Sequence, residues 1–451
     1  MRVTFKQRAY LTPGQEAITR EWDGSLRALH NAALEERQNN YRAYKRYNTP
    51  QGYINYNSQA KQLTEIRALV DWVRAVPAQV QQQMLMDLEK ACVKHGSLNV
   101  KYWARYRHDP SYRYPSPHMT PVEKLNRKWG RVFLPKLGWV RFKWTRLMPG
   151  NLCQTTLTRD GNDWYICFQH ETGLEPPAPR EWTPATSAGG DLGVANSLVI
   201  VDESGQGVGF DREFVTAGEA ARLKRLLQQQ AKRRRVNKNW RSSKRYRRTQ
   251  NQIRELYARQ RRRRRDFHDQ VAALLTTTYP MITHELLNIK GMTKSAAGTV
   301  ENPGVRVAQK RGLNRAILAK GWGIFLRLLK WHALKRGAHI QPAPAHYTSQ
   351  QCPECRFTHE DNRESQAVFT CVACGFEAHA DVVGAWNTRE RGVKLASTPG
   401  RLVEADTQVS VGRQAALGKT GDNTRSLGVG GDSALAGSVK RQPLRSFTYI
   451  V

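Results

Sequence analysis

The sequence predicts a multidomain α+β chain, and three observations carry that reading. Apolar residues recur at helical spacing through about the first hundred positions and at strand spacing from 129 to 170; from about residue 185 helical and strand patterns alternate. A Pro-rich stretch, GLEPPAPREWTP, separates the second regime from the third and marks a boundary near residue 185. Two pairs of cysteines at fixed spacing interrupt the last regime.

The chain opens with MRVTFKQRAYL, a strand with alternating faces, and TPGQEAITREW then starts a helix. Leu26, Leu29 and Ala33, and later Val80, Met84, Leu88 and Ala91, fall at three- and four-residue steps, so helices are expected to about residue 105. Residues 106–128 are rich in Tyr, Pro and basic side chains and read as loop. In 129–170, WGRVFLPKLGWVRFKW turns at Lys136–Gly138, and LCQTTLTRDGNDWYICFQ is a hairpin turning around Asp160–Gly161–Asn162.

Beyond the Pro-rich stretch, AGGDLGVANSLVIVDESGQGVGF reads as apolar strands joined by short turns, hence antiparallel. A basic helical segment runs from about Gly218 to Thr278. PMITHELLNI reads as a strand, 322–337 as a helix, AHIQPAP as a strand and ADVVGAWNTRERG as a helix. Residues 399–451 are rich in Gly, Ser, Ala and Thr with few large apolar side chains, and they read as a mostly disordered, flexible tail.

Three strands in a row, a long helix, a strand, a helix, a strand and a helix form the element order of an RNase H-like fold. Acids occupy its characteristic places: Asp191 in GGDLGV on the first strand, Glu285 in MITHELLNIKGM at the fourth, and Asp381 in HADVVGAWN in a late helix. The glycines beside Asp191 are expected to let backbone and metal approach its carboxylate. Phosphodiester hydrolysis needs an activated water and a stabilised leaving oxygen, and two Mg²⁺ ions held by carboxylate oxygens supply both. Without cations three gathered carboxylates would repel and raise one another's pKa. Singly, each acid has a plainer role: a hairpin turn, a surface strand position, a helix N-terminal charge. Their joint order on matching elements points to one catalytic site.

CPEC (352–355), fifteen intervening residues and CVAC (371–374) fit a tetrahedral Zn²⁺ held by Cys352, Cys355, Cys371 and Cys374. Four thiolates leave no position for water, so this zinc is structural, and it sits seven residues before Asp381. The other cysteines, Cys92, Cys153 and Cys167, are scattered and odd in number, which suits a reducing compartment.

Lys and Arg number 72 against 38 Asp and Glu, a formal charge of +34, which calls for a polyanionic partner. No apolar run is long enough to span a membrane, and MRVTFKQRAY lacks a signal-peptide core, so a cytoplasmic protein working beside the nucleoid is expected, with nucleic acid rather than membrane as its polyanion. Residues 221–265 hold twenty Lys or Arg and one acid, Glu255. A helical hairpin breaking near Asn237–Ser243 would offer Arg233, Arg234, Arg235, Lys244, Arg245, Arg247, Arg248, Arg261, Arg262 and Arg263 to phosphates, without reading sequence.

These residues together resemble the TnpB family of transposon-encoded, RNA-guided DNA nucleases, which are related to type V CRISPR effectors. The matching stretches are LPKLGWV (134–140), GGDLGVANSLVIVDESG (189–205), RRDFHDQVAALL (264–275), HELLNIKGM (284–292), LNRAILAKGWGIFLRLL (313–329), YTSQQCPEC (347–355) and CVACGFEAHADVVGAWN (371–387). The resemblance implies a β-barrel wedge domain (1–20 and 126–184) with an inserted helical recognition lobe (21–125). It further implies a RuvC-type nuclease domain (185–345 and 377–398) carrying a zinc-binding target-nucleic-acid-binding module (346–376). A guide RNA derived from the transposon end, a double-stranded DNA target and a short motif beside that target are implied as well. The acids of the motif fall on Asp191, Glu285 and Asp381, and the zinc ligands on the four cysteines. Three departures stand out: Arg356 where the first cysteine turn usually ends in Gly, Trp331–His332 where Tyr-Lys is common, and VVGAW after Asp381 where small residues and Asn are commoner. Two other activities stay open at this level, a guide-directed DNA-binding regulator that does not cut and a strand-joining transposase with the same metal chemistry.

Overall fold

The computed structural model describes residues 1–47, 54–104, 110–236, 239–240, 242–398 and 445–449. They divide into two compact units, the first made of Met1–Gly173 with Arg241–Glu255, the second of Leu174–Trp240 with the rest. Among the described residues no helix is long and apolar enough to cross a membrane.

The first unit begins with strand β1 (Arg2–Tyr10) and four helices, α1 (Pro13–Tyr47), α2 (Tyr56–Leu69), α3 (Asp71–Arg74) and α4 (Ala78–His95). Trp22, Leu26, His30, Ala33 and Leu34 of α1 and Val80, Met84, Leu88 and Cys92 of α4 are buried at steps of three and four, so each helix closes one stripe on a shared core. Asn55 caps α2 in a reciprocal box with Ser58. Strands β2 (Ser111–Tyr114), β3 (Val122–Lys124), β4 (Trp129–Leu134), β5 (Gly138–Lys143), β6 (Asn151–Asp160) and β7 (Asp163–Glu171) follow.

With β1 they form one antiparallel sheet in the order β2-β6-β7-β1-β5-β4-β3. Among the described residues the edge strands β2 and β3 share no ladder, so main-chain pairing there does not close the barrel that the resemblance implies. Thr120, just before β3, instead meets Thr155 of β6 through hydroxyls 3.0 Å apart. Residues 106–128 were expected as loop, yet they supply β2 and β3. Tyr112 and Tyr114 are fully buried on alternate positions of β2, which turns an aromatic stretch into a strand.

The second unit runs β8 (Ser187–Asp191), β9 (Leu198–Val201), β10 (Gly207–Asp211), α5 (Ala217–Val236), α6 (Lys244–Thr278, its first residues belonging to the first unit), β11 (Met281–Glu285), α7 (Ile289–Met292), α8 (Val307–Lys320), α9 (Trp322–Arg336), β12 (His339–Ala343), β13 (Val368–Thr370), β14 (Glu377–His379), α10 (Ala380–Ser397) and β15 (Arg445–Tyr449). Its main sheet has the order β12-β11-β8-β9-β10-β15. β8, β9 and β10 are antiparallel, whereas β11 lies parallel to β8 and β12 parallel to β11.

Both faces of this sheet are covered, which explains the unbroken apolar run LVIV of β9. Leu198 and Ile200 pack with Phe267, Val271 and Leu275 of α6 and Phe325, Leu328 and Leu329 of α9. Val199 and Val201, pointing the other way, pack with Val382 and Ala385 of α10. Within the stretch whose composition reads as a disordered tail, Arg445–Tyr449 pair with β10; residues 399–444 and 450–451 of that tail lie outside the described residues.

Candidate active site

Sheet register brings two of the acids side by side. Gly190 pairs with His284 in the parallel β8–β11 ladder, so the next residues, Asp191 and Glu285, stand side by side as the last residues of the two strands. Asp381 enters from α10, whose N-terminus is capped by His379 through Nδ1 accepting from the Asp381 amide at 3.2 Å. Helix α10 sits close on β8 because glycines line the contact. A Cβ on Gly384 would stand 3.3 Å from Asp191 Oδ2, and one on Gly189 only 2.3 Å from the Ala385 carbonyl oxygen.

Glu285 and Asp381 are each 7% exposed, and neither is left without a partner. Thr348 Oγ1 donates to Glu285 Oε1 at 2.7 Å, and Asn196 Nδ2 donates to Asp381 Oδ2 at 2.7 Å. Asn196 stands in the β8–β9 turn, which Lys320 Nζ holds through the Ala195 carbonyl (3.2 Å), Ser197 Oγ (3.1 Å) and Asp211 Oδ1 (3.1 Å). Loss of hydration pushes the Asp191 carboxyl well above the usual range, and the charges of Glu285 and Asp381 push it further. Desolvation also raises Glu285, against the Thr348 and Asp191 hydrogen bonds and the charges of Arg391 and Arg363. Dry, mutually repelling carboxylates of this kind are what hard divalent cations stabilise, so the donor set fits Mg²⁺.

The four cysteine sulfurs all lie within 4.8 Å of one another, the one such set of three or more possible ligands among the described residues. Cys352 and Cys374 are 3.7 Å apart and Cys355 and Cys371 3.6 Å. Tetrahedral Zn–S bonds of about 2.3 Å place sulfurs about 3.8 Å apart, so this cluster has the size of a zinc site. Burial works against ionising Cys371, but the Cys374 and Ala373 amides aimed at its sulfur bring its pKa down to about 7. That favours the thiolate at this one sulfur, whereas burial pushes the Cys352 thiol up to about 12.

The basic helices are more varied than their sequence suggests. Arg234, Arg235, Lys244, Arg245, Arg247, Arg248 and Arg261 are exposed, whereas Arg233, Arg262 and Arg263 are half-buried. Arg263 pairs with Glu219 of α5 at 2.5 Å, and Arg247 donates to the Ser242 carbonyl at 2.7 Å. Asn237, which with Ser243 frames the expected helix break, falls outside the described residues, although α5 does end at Val236 and α6 begins at Lys244.

Asn196 and Thr348 are the site residues that the sequence leaves silent. Each reaches its carboxylate across a long stretch of chain, 185 and 63 residues, and neither belongs to a spacing pattern that marks chemistry.

Residues 1–46, 166–296 and 322–388 match family models described as "Helix-turn-helix domain", "Probable transposase" and "Cas12f1-like, TNB domain". Over 384 residues, 84% of this chain and 89% of the relative, the sequence is 33% identical to "Putative RNA-guided DNA endonuclease InsQ" of Escherichia coli (strain K12). Over 57 residues, 13% of this chain and 14% of the relative, it is 42% identical to "CRISPR-associated endodeoxyribonuclease Cas12f1" of Sulfoacidibacillus thermotolerans. The "Cryo-EM structure of the Cas12f1-sgRNA-target DNA complex" aligns with 86% of this chain and 98% of that one, at 10% identity and a TM-score of 0.47. The 33% identity to the Escherichia coli relative, sustained over most of both sequences, shows that the chain belongs to the TnpB family.

Proposed function

We propose that the chain is an RNA-guided DNA endonuclease that cuts guide-matched double-stranded DNA beside a short adjacent motif. The observation that carries this reading is the convergence of Asp191, Glu285 and Asp381 from β8, β11 and α10. The relative named as an RNA-guided DNA endonuclease, alignable over most of this chain, supports it.

In this reading Asp191, Glu285 and Asp381 hold two Mg²⁺ ions. When bound, these would activate the attacking water and stabilise the leaving 3′ oxygen. Asn196 and Thr348 fix the orientation of Asp381 and Glu285. The four cysteines would hold one structural zinc. The sheet order of the second unit supports reading residues 185–345 and 377–398 as a RuvC-type RNase H-like domain, in which 346–376 would be the zinc-containing target-binding module. In this reading residues 1–20 and 126–184 are the wedge, all but its last stretch from Leu174 on lying in the first unit, and 21–125 are the helical recognition part. Guide pairing selects the target, while exposed cations on α5 and α6 hold phosphates by charge.

The test is cleavage by the purified protein bound to the RNA that copurifies with it. A guide-matched plasmid should be cut in Mg²⁺ and left intact in EDTA. Asp191→Ala should reduce cutting by about 10³-fold or more while target binding persists, since an essential charge stabiliser is lost. Binding without cutting by the unaltered protein would identify a regulator, and joined rather than cut products a transposase.

A further inference from the structure

The stretch Thr348–Arg356 connects the thiolate cluster to the carboxylates. At one end Thr348 is 3% exposed and gives its hydroxyl proton to Glu285. Four residues later Cys352 supplies the first thiol. Helix α10 grips the chain between them. Asn387 Nδ2 donates to the Thr348 and Gln351 carbonyls, both at 2.7 Å, and Arg391 donates to Gln351 Oε1 at 2.9 Å and to the His346 carbonyl at 2.5 Å.

At the far end the Arg356 guanidinium forks onto the Glu390 carboxylate, with Nη2 to Oε1 at 2.7 Å. Asn387, Glu390 and Arg391 are three and four residues apart, so one face of α10 makes all these contacts. Arg356 holds a φ of +65°, a left-handed backbone that glycine adopts more easily. A side chain is kept there at a conformational cost, and the ion pair to α10 is what that side chain makes.

Resting on the nuclease reading, we propose that the Thr348–Arg356 loop is a positioning device for Glu285. The thiolates fix the loop at its middle, α10 fixes it on both sides, and Thr348 delivers one hydroxyl that sets the rotation of the Glu285 carboxylate. The Thr348 hydroxyl has a second acceptor nearby, the Ala345 carbonyl at 3.1 Å. A single proton serves one of them, and Glu285 Oε1 at 2.7 Å is the nearer acceptor. The cysteine module therefore does more than stabilise itself: its folded state orients a carboxylate of the site next to it. Thr348 acts through Glu285 and is a positioning residue.

The experiment compares Thr348→Val, Thr348→Ser and Arg356→Gly with the unaltered protein–RNA complex. For each, the Mg²⁺ concentration giving half-maximal cleavage, target binding in EDTA, zinc content and the rate of zinc loss to a chelator are measured. Partners that orient metal ligands typically carry about 10–100-fold in metal affinity or activity. Thr348→Val should therefore raise the half-maximal Mg²⁺ concentration by about 10-fold or more, with zinc content and target binding unchanged, and Thr348→Ser should restore it. Unaltered Mg²⁺ dependence in a folded, zinc-loaded Thr348→Val overturns the proposal. If that variant fails to fold, Arg356→Gly decides, because its site is exposed and glycine suits its backbone. It should lose zinc faster and shift the Mg²⁺ dependence in the same direction, and no shift overturns the proposal. Failure of the unaltered complex to cut in Mg²⁺ would instead remove the nuclease reading itself.

Discussion

Burial and mutual repulsion act on Asp191, burial acts on Glu285, and both carboxyls hold their protons to higher pH than usual. The sign of the consequence follows from linkage. In the unfolded chain these groups titrate near pH 4, so between there and their raised values the folded chain binds more protons. Their contribution to stability is complete below the unfolded pKa and is lost as pH rises through the folded one. The cation-free protein should thus lose stability as pH climbs out of the ordinary carboxylate range, at about 1.4 kcal/mol for each unit of upward shift. Mg²⁺ should restore it, and the restoration should grow with pH because binding displaces protons. Asp191→Asn should flatten this pH dependence and raise the cation-free Tm near neutrality by about 2–4 °C. Calorimetry across pH, with and without Mg²⁺, checks both. Opposite behaviour of stability and activity in that variant is the mark of a functional charge kept where folding disfavours it.

Close approach of β8 and α10 is the packing fact on which the site depends. A Cβ on Gly189 would meet the Ala385 carbonyl oxygen at 2.3 Å and Arg389 Cβ at 2.4 Å, neither of which can rotate away. Gly189→Ala should cost about 1–3 kcal/mol in chemical denaturation and reduce cleavage by displacing Asp381. Gly190→Ala should cost less, because its nearest neighbour is the rotatable Ile200 Cδ1 at 3.1 Å. The sequence motif GGD drew attention to these positions for another reason, access of metal to Asp191; the nearer neighbour of Gly189 is the helix. The acids themselves were legible because strand and helix periodicities ordered their elements, and the cysteines because ligand spacing is local. Thr348 and Asn196 were not, since their roles arise only when separate segments meet. β2 was missed because its buried tyrosines alternate with basic and polar residues, a composition shared by exposed loops.

Charge belongs to the molecule as a whole. The formal charge of +34 is what remains after every acid is counted, including Glu219, which engages both Arg259 and Arg263, so no internal ion pair can offset it. Affinity for RNA should fall steeply with salt, and the log–log slope should lessen by about 0.7 for each lost contact to a single strand. Replacing Arg235, Lys244 and Arg248 by Ala should therefore lower the slope by about 2 in a salt titration of RNA binding, without changing which target is cut. Composition made this partner class readable without any fold.

The tail, judged by the same composition, concealed β15. That strand occupies the flank of β10, so the main sheet of the second unit does not end on β10. A chain shortened to end at Ser397 would leave the amides and carbonyls on that flank bare, and a bare edge recruits strands from other molecules. Trimming this chain to its motif-bearing residues should thus raise its tendency to self-associate, which light scattering at rising protein concentration would show.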